Sequence, residues 1–171
     1  MNDSTELTRL FISFTRRKLL EEMWPRLCSC LDQLSEDQIW WRPNETSNSI
    51  GNLLLHLNGN VRQWLLKALA GQDSGRNRDA EFEEHRSIPV NDLRARLDAT
   101  LHEVDALLAK AGPEELLRTV DIQVYREVPV LEAIYHVVEH FSLHYGQILY
   151  ITKMLSGADL GFYAHLRRRT S

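Results

Sequence analysis

The sequence predicts an all-α protein: a four-helix bundle with a short strand or hairpin before the last helix. Two observations carry this expectation. Four stretches of roughly 20 residues or more repeat apolar side chains with a helical period. Only one brief segment alternates as a strand would. With 171 residues, 43% of them hydrophobic, the chain suits one domain with its own core. No linker-like tract divides it, so residues 1–171 read as a single domain.

The first helical stretch places Leu7, Leu10, Phe11, Phe14, Met23, Leu27, Leu31 and Leu34 at spacings compatible with one face. Pro25 lies inside it and should kink or break it, since proline lacks the N–H and crowds the preceding turn. Trp40-Trp41-Arg42-Pro43-Asn44 reads as an ordered connection pinned by aromatic burial. The second helix is expected from a cap near Ser47 to Ser49 as far as Leu69, with Gly71 as its stop. Gln72 to Arg86 is charged and without apolar period, which predicts a surface loop. The third helix spans Asn91 to Ala111 and ends at Gly112-Pro113. Val120, Ile122 and Val124 alternate with polar residues, the strand or hairpin signal. Pro129 suits the first turn of the fourth helix, which continues to Leu155.

Charged residues make up 26% of the chain, and the formal net charge is −4 with a pI near 6.0. That balance offers no basic footprint for nucleic acid, and Arg167-Arg168-Arg169 reads as a solvated tail. No apolar run approaches the ~20 residues needed to cross a bilayer, and the N-terminus does not look like a signal peptide. Cys28 and Cys30 do not face each other on a helix, so two reduced thiols are expected. The chain therefore reads as cytoplasmic, with no nucleic-acid or membrane partner.

The fourth helix carries the chemistry. Leu131, Ile134, Tyr135, Val138, Phe141, Tyr145 and Leu149 form one broad apolar stripe. His136, His140 and His144 cluster on the other side, among further apolar residues, at about 100° per residue. Histidines four apart can ligate one metal ion, but the outer two of three are separated by about 12 Å of helix rise. One pair binds, and a further ligand must come from another helix. His56, at the edge of the second helix's stripe with Asn60 one turn on, can supply it. Two ligands from one helix and one from another leave positions open for water or substrate. His85, His102 and His165 fall in loop, exposed-helix and tail contexts.

At these residues the sequence resembles the DinB-like superfamily, which includes bacterial bacillithiol transferases. The matching pieces are Asn48-Ser49-Ile50 leading to His56-Leu57-Asn58-Gly59-Asn60, and His140-Phe141-Ser142-Leu143-His144-Tyr145-Gly146-Gln147. The charged loop Arg76-Asn77-Arg78-Asp79-Ala80-Glu81-Phe82 is similar to a subgroup of unassigned function. The resemblance implies an up-down-down-up bundle, a homodimer, and a divalent metal ion (zinc or nickel) on His56, His140 and His144. His136 lies outside that ligand pattern.

Two functions compete at this stage. One is a metal-dependent thiol S-transferase, or a related hydrolase, acting on small electrophilic substrates with a low-molecular-weight thiol as partner. The other is a non-catalytic, metal-stabilised dimeric binding or sensing module. The residues name no catalytic base; Asn60, Glu139 and Gln147 are candidates for orienting ligands or substrate.

Overall fold

The computed structural model describes residues 3–85 and 88–166. Helix α1 (residues 3–31) runs as an α-helix over Asp3–Arg16, widens into π-helical turns over Arg17–Met23 and resumes over Trp24–Leu31. Pro25 therefore does not break it. The Trp24 N–H reaches back five residues to the Leu19 carbonyl, and this wider register carries the helix past the missing proline donor.

A short helix α2, Glu36–Ile39, is closed by a reciprocal Ser35/Gln38 cap. The connection after it is anchored by Trp40, whose indole N–H donates to the Ile88 carbonyl at 3.1 Å. Its ring lies so close over Gly51 that a Cβ there would meet it at 2.8 Å.

Helix α3 (residues 50–70) comprises Ile50–Val61, a π segment Arg62–Leu66 and Lys67–Ala70. It begins at the Ser49/Asn52 cap and stops at Gly71, which adopts a left-handed φ of 69°. The expected surface loop that follows is in part a helix: α4 covers Arg78–Glu83, capped by Asn77. Helix α5 is Val90–Leu108 and α6 is Pro113–Leu117. The antiparallel hairpin β1 (Thr119–Ile122) and β2 (Tyr125–Pro129) leads into α7, Val130–Ser156.

The four long helices, α1, α3, α5 and α7, form the bundle, and their side-chain pairings fix its sense. Arg16 bonds Asp105, Trp24 bonds Asp98 and Arg94 bonds Asp32, so α1 and α5 run in opposite directions. His56 meets His140 while Asn60 meets His136, so α3 and α7 are antiparallel. Thr100 bonds Asn58 and Arg62 approaches Glu103, so α3 and α5 are parallel. That is the up-down-down-up order. Leu19, Leu27, Leu57, Leu65, Leu97, Leu101 and Phe141 are among the fully buried side chains at its centre. Among the described residues, no helix is long and apolar enough to cross a membrane.

The buried face of α7 differs from the expected stripe. It consists of Val130, Ala133, Ile134, Val137, Phe141, Tyr145, Ile148 and Thr152, whereas Leu131 and Tyr135 of that stripe are exposed, Tyr135 by 63%. A helix apolar on most sides gives no contrast from which to place its inner face.

Asn52 is one of the residues that hold segment 72–85 against α3. Fully buried Asn52 donates to the carbonyls of Glu81 and Glu84, at 2.9 Å each. Its Oδ1 accepts from the Ser49 hydroxyl at 2.6 Å and from Arg42 at 2.8 Å. Asn52→Ala removes the side-chain donor to the Glu81 carbonyl and one of the donors to the Glu84 carbonyl, and takes the Oδ1 acceptor away from Arg42 and the Ser49 hydroxyl. A loss of about 2–4 kcal/mol is expected in denaturant unfolding; an unchanged midpoint would show that the clamp is dispensable.

Candidate metal centre

The antiparallel packing of α3 on α7 brings His56 onto the face that carries His140 and His144. Each offers one ring nitrogen, and the three nitrogens lie within 4.8 Å of one another. The Nε2 atoms of His56 and His140 are 2.9 Å apart. Ring centroids are separated by 4.9 Å for His56–His140, 5.0 Å for His56–His144 and 4.4 Å for His140–His144. His56 is buried, and the other two are half-buried.

The outward nitrogens are tied down. His144 Nδ1 lies 2.7 Å from Gln147 Oε1. A carbonyl oxygen only accepts, so Nδ1 carries the proton and Nε2 keeps its lone pair. His56 Nδ1 lies 2.9 Å from Glu81 Oε2 and in the same way donates to the carboxylate. Arg76 Nη2 is also 2.9 Å from His56 Nδ1, and both groups cannot donate across one contact. With Nδ1 protonated, Arg76 donates instead to Glu81, through Nε at 2.6 Å and Nη2 at 2.7 Å. A carboxylate behind an imidazole fixes its tautomer and orientation, the usual outer support of a metal-binding histidine.

The support reaches His56 because residue 59 is glycine. A Cβ there would overlap Glu81 Oε1 and stand 2.7 Å from Arg76 Nε. The ion pair therefore rests directly on the α3 backbone, with the Arg76 side chain only 3% exposed. Burial alone would raise the Glu81 carboxyl, but the hydrogen bonds from Arg76 and His56 hold it below the ordinary range. Glu81 is thus a fixed anion and not a proton acceptor at neutral pH.

Burial pushes the His140 imidazole down to about 3, with further lowering by His144, His56, His136 and Arg76. Burial also lowers His144, against the raising effect of Gln147. Both are neutral near pH 7, as ligation requires. Stability should follow pH accordingly. In protein stripped of metal, the unfolded chain takes up a proton at His140 near pH 6.5, while the folded chain does so only near 3. The stability associated with this group is complete above about pH 6.5 and declines as pH falls from there toward 3, by at most about 1.4 kcal/mol per pH unit. Denaturation at several pH values should show this slope, reduced in His140→Asn.

The other expected residues separate cleanly. His136 is not one of the three; its ring lies tilted 4.0 Å from that of Trp64 and stacks 5.5 Å from that of His140, with Nε2 3.4 Å from Asn60 Nδ2. Gln147 and Asn60 lie at the cluster. Glu139 does not: it is exposed and lines a groove between α1 and α7. His85 and His102 are exposed, the latter bonded to the Asp98 carbonyl. The His165 side chain and Arg167–Arg169 lie outside the described residues.

Arg76, Glu81 and Gly59 were not anticipated as functional. All three lie in pieces that carry the family resemblance, but nothing in those pieces gives their roles; Phe82, in the same segment, places its ring 4.7 Å from that of His56.

The model of a family described only as a protein of unknown function, DUF1572, matches residues 7–165. The chain belongs to the DUF1572 family. No curated protein matches it. In this DUF1572 chain the match runs from α1 through the whole of α7, so it includes all three clustered histidines and the Arg76–Glu81 pair.

Proposed function

We propose that this DUF1572 chain is a metal-dependent enzyme, built on the DinB-like plan, that activates a low-molecular-weight thiol for attack on a small electrophile. His56, His140 and His144 would hold one divalent ion, zinc or nickel. The observation that carries this is the convergence of three imidazoles while Glu81 and Gln147 hold two of their outer nitrogens. The protein alone satisfies two facing Nε2 atoms only by sharing a proton between them; a cation satisfies all three rings. When bound, the metal supplies a Lewis-acid position at which a thiol's pKa falls into the neutral range.

The chain's own thiols do not serve as the nucleophile. Burial pushes Cys30 up to about 11 and raises Cys28, so both stay protonated at neutral pH. The thiol therefore comes from outside, in a reducing cytoplasm. Its sulfur forms the new S–C bond, the leaving group departs with its electron pair, and the thiol proton passes to solvent. Hydrolysis at the same centre is the related activity.

A second reading, a non-catalytic module in which metal clamps α3 to α7, draws on one observation. Phe82 covers His56, and none of the five described cavities is lined by the three histidines. Against it, His140 and His144 keep partial exposure. Gln147, bonded to His144, also lines a groove of about 450 Å³.

The deciding experiment compares metal-loaded with stripped protein, using glutathione or bacillithiol against 1-chloro-2,4-dinitrobenzene and monobromobimane. Metal-dependent conjugation above the spontaneous rate is expected. Equal rates for every thiol and electrophile, with unfolding on metal removal, would favour the clamp.

Homodimerisation is part of this proposal. Phe14 of α1 and Tyr135 and Leu143 of α7 are exposed apolar side chains that line one groove, and α1 also exposes Leu7 and Leu10; clustered exposed apolar side chains mark interaction surfaces. Light scattering should give twice the chain mass of 19.9 kDa, reverting to one with Phe14→Glu and Tyr135→Glu together. A monomeric parent protein would contradict it.

A further inference from the structure

Asn60 is the one buried polar side chain of α3 whose hydrogen bonding does not close. Its neighbours on the buried side of the helix, Leu53, Leu57, Val61, Trp64 and Leu65, are apolar. The other two asparagines of the helix have clear work: Asn52 caps and clamps, and Asn58 accepts from Thr100 at 2.8 Å. Asn60 is only 4% exposed, and its Oδ1 has no hydrogen-bond partner among the described residues. Its single contact, Nδ2 to His136 Nε2 at 3.4 Å, is long. Turning the carboxamide over would pair Oδ1 with His136 and strand Nδ2 instead. In either orientation one buried polar atom lacks a partner, a cost that a leucine at this position would avoid.

The position of the pair gives that atom a use. Asn60 lies four residues after His56 and His136 four residues before His140. Because α3 and α7 are antiparallel, both steps go the same way, about 6 Å along the bundle from the His56–His140 contact. Asn60 and His136 thus repeat that contact one turn further on, with a carboxamide and an imidazole in place of two imidazoles. His136 is half-buried and forms the outer edge of the pair, and the Trp64 ring lies against it, tilted, at 4.0 Å. Together they present both a hydrogen-bond donor and an acceptor.

We infer that Asn60 and His136 form an anchoring subsite for the amide of a cysteinyl thiol whose sulfur is held among His56, His140 and His144. In such a thiol the amide nitrogen and carbonyl oxygen are three to four bonds from sulfur, a reach of about 4–5 Å that, with a hydrogen bond of about 2.9 Å, spans the one-turn offset of about 6 Å. The amide N–H meets the Asn60 oxygen, and its carbonyl accepts from the carboxamide or imidazole N–H, replacing the long contact between the two. The inference rests on the thiol reading above and narrows it: thiols without a neighbouring amide should bind worse.

The test uses cobalt-loaded protein, in which sulfur coordination appears as a near-ultraviolet charge-transfer band. The probes are N-acetyl-L-cysteine amide and 2-mercaptoethanol. The parent protein should bind the first about tenfold or more tightly than the second. Asn60→Leu and His136→Phe should erase that preference, while each keeps one cobalt per chain and its affinity for 2-mercaptoethanol. Asn60→Ser, a smaller change, serves if the leucine variant does not fold. Equal affinities in the parent protein, or a preference that survives at residue 60, would overturn the subsite and leave the thiol reading standing. No charge-transfer band with either probe would defeat both.

Discussion

Replacing His140 with alanine should reduce the metal content from about one ion per chain to below detection while leaving the helical content largely intact. His140 is the middle member of the cluster: its Nε2 is 2.9 Å from that of His56, and its ring is 4.4 Å from that of His144. Without it, two imidazoles on different helices remain, too few to hold a labile divalent ion against buffer. The surrounding core is not built on this ring. Val137, Phe141 and Ile148 carry the packing of α7 and are all but fully buried, whereas His140 is half-buried at the edge. Circular dichroism and elemental analysis on one sample check both halves of the expectation. A variant that keeps its metal removes His140 from the ligand set, and one that unfolds supports the clamp reading instead.

The second large effect arises one layer out. Glu81→Ala should weaken metal binding about 10–100-fold, because His56 loses the carboxylate that fixes its tautomer. Arg76, only 3% exposed, is then left buried without its anion, so stability should fall as well. Glu81→Gln keeps an acceptor for His56 Nδ1 and loses only the charge, so its effect should be smaller. Gly59→Ala reaches the same result from the other side, because the new methyl occupies the place of Glu81 Oε1 and crowds Arg76 Nε at 2.7 Å. Competition with a chromophoric chelator measures all three. Parent-like affinity in both Glu81→Ala and Gly59→Ala would mean that the carboxylate does not support His56.

The helices were legible in the sequence because their boundaries are chemical. Ser49 with Asn52 starts α3, Gly71 stops it, and Gly157 stops α7, each through local backbone geometry. Spacing along α7 shows that His136, His140 and His144 share a face and cannot all meet one ion, while the choice of His140 and His144 with His56 follows from the family resemblance. Two things were not legible. The inner face of α7 cannot be read from a helix apolar on most sides, and the broad apolar stripe includes Leu131 and Tyr135, which are exposed. Glu81 could not be read at all, because its role depends on a fold-back of segment 72–85 onto α3. That fold-back is set by Asn52, Arg42 and the bare backbone of Gly59, and no periodicity reports it.

The most direct measurement is metal uptake by protein purified without an affinity tag, stripped, and titrated with zinc and with nickel, followed by X-ray absorption at the metal edge. One ion per chain is expected, with a first shell containing three imidazole nitrogens, and with both the stoichiometry and the imidazole signal lost in His56→Ala, His140→Ala and His144→Ala. Protein that takes up neither metal, or binds it equally well in all three variants, would contradict a metal centre on these histidines.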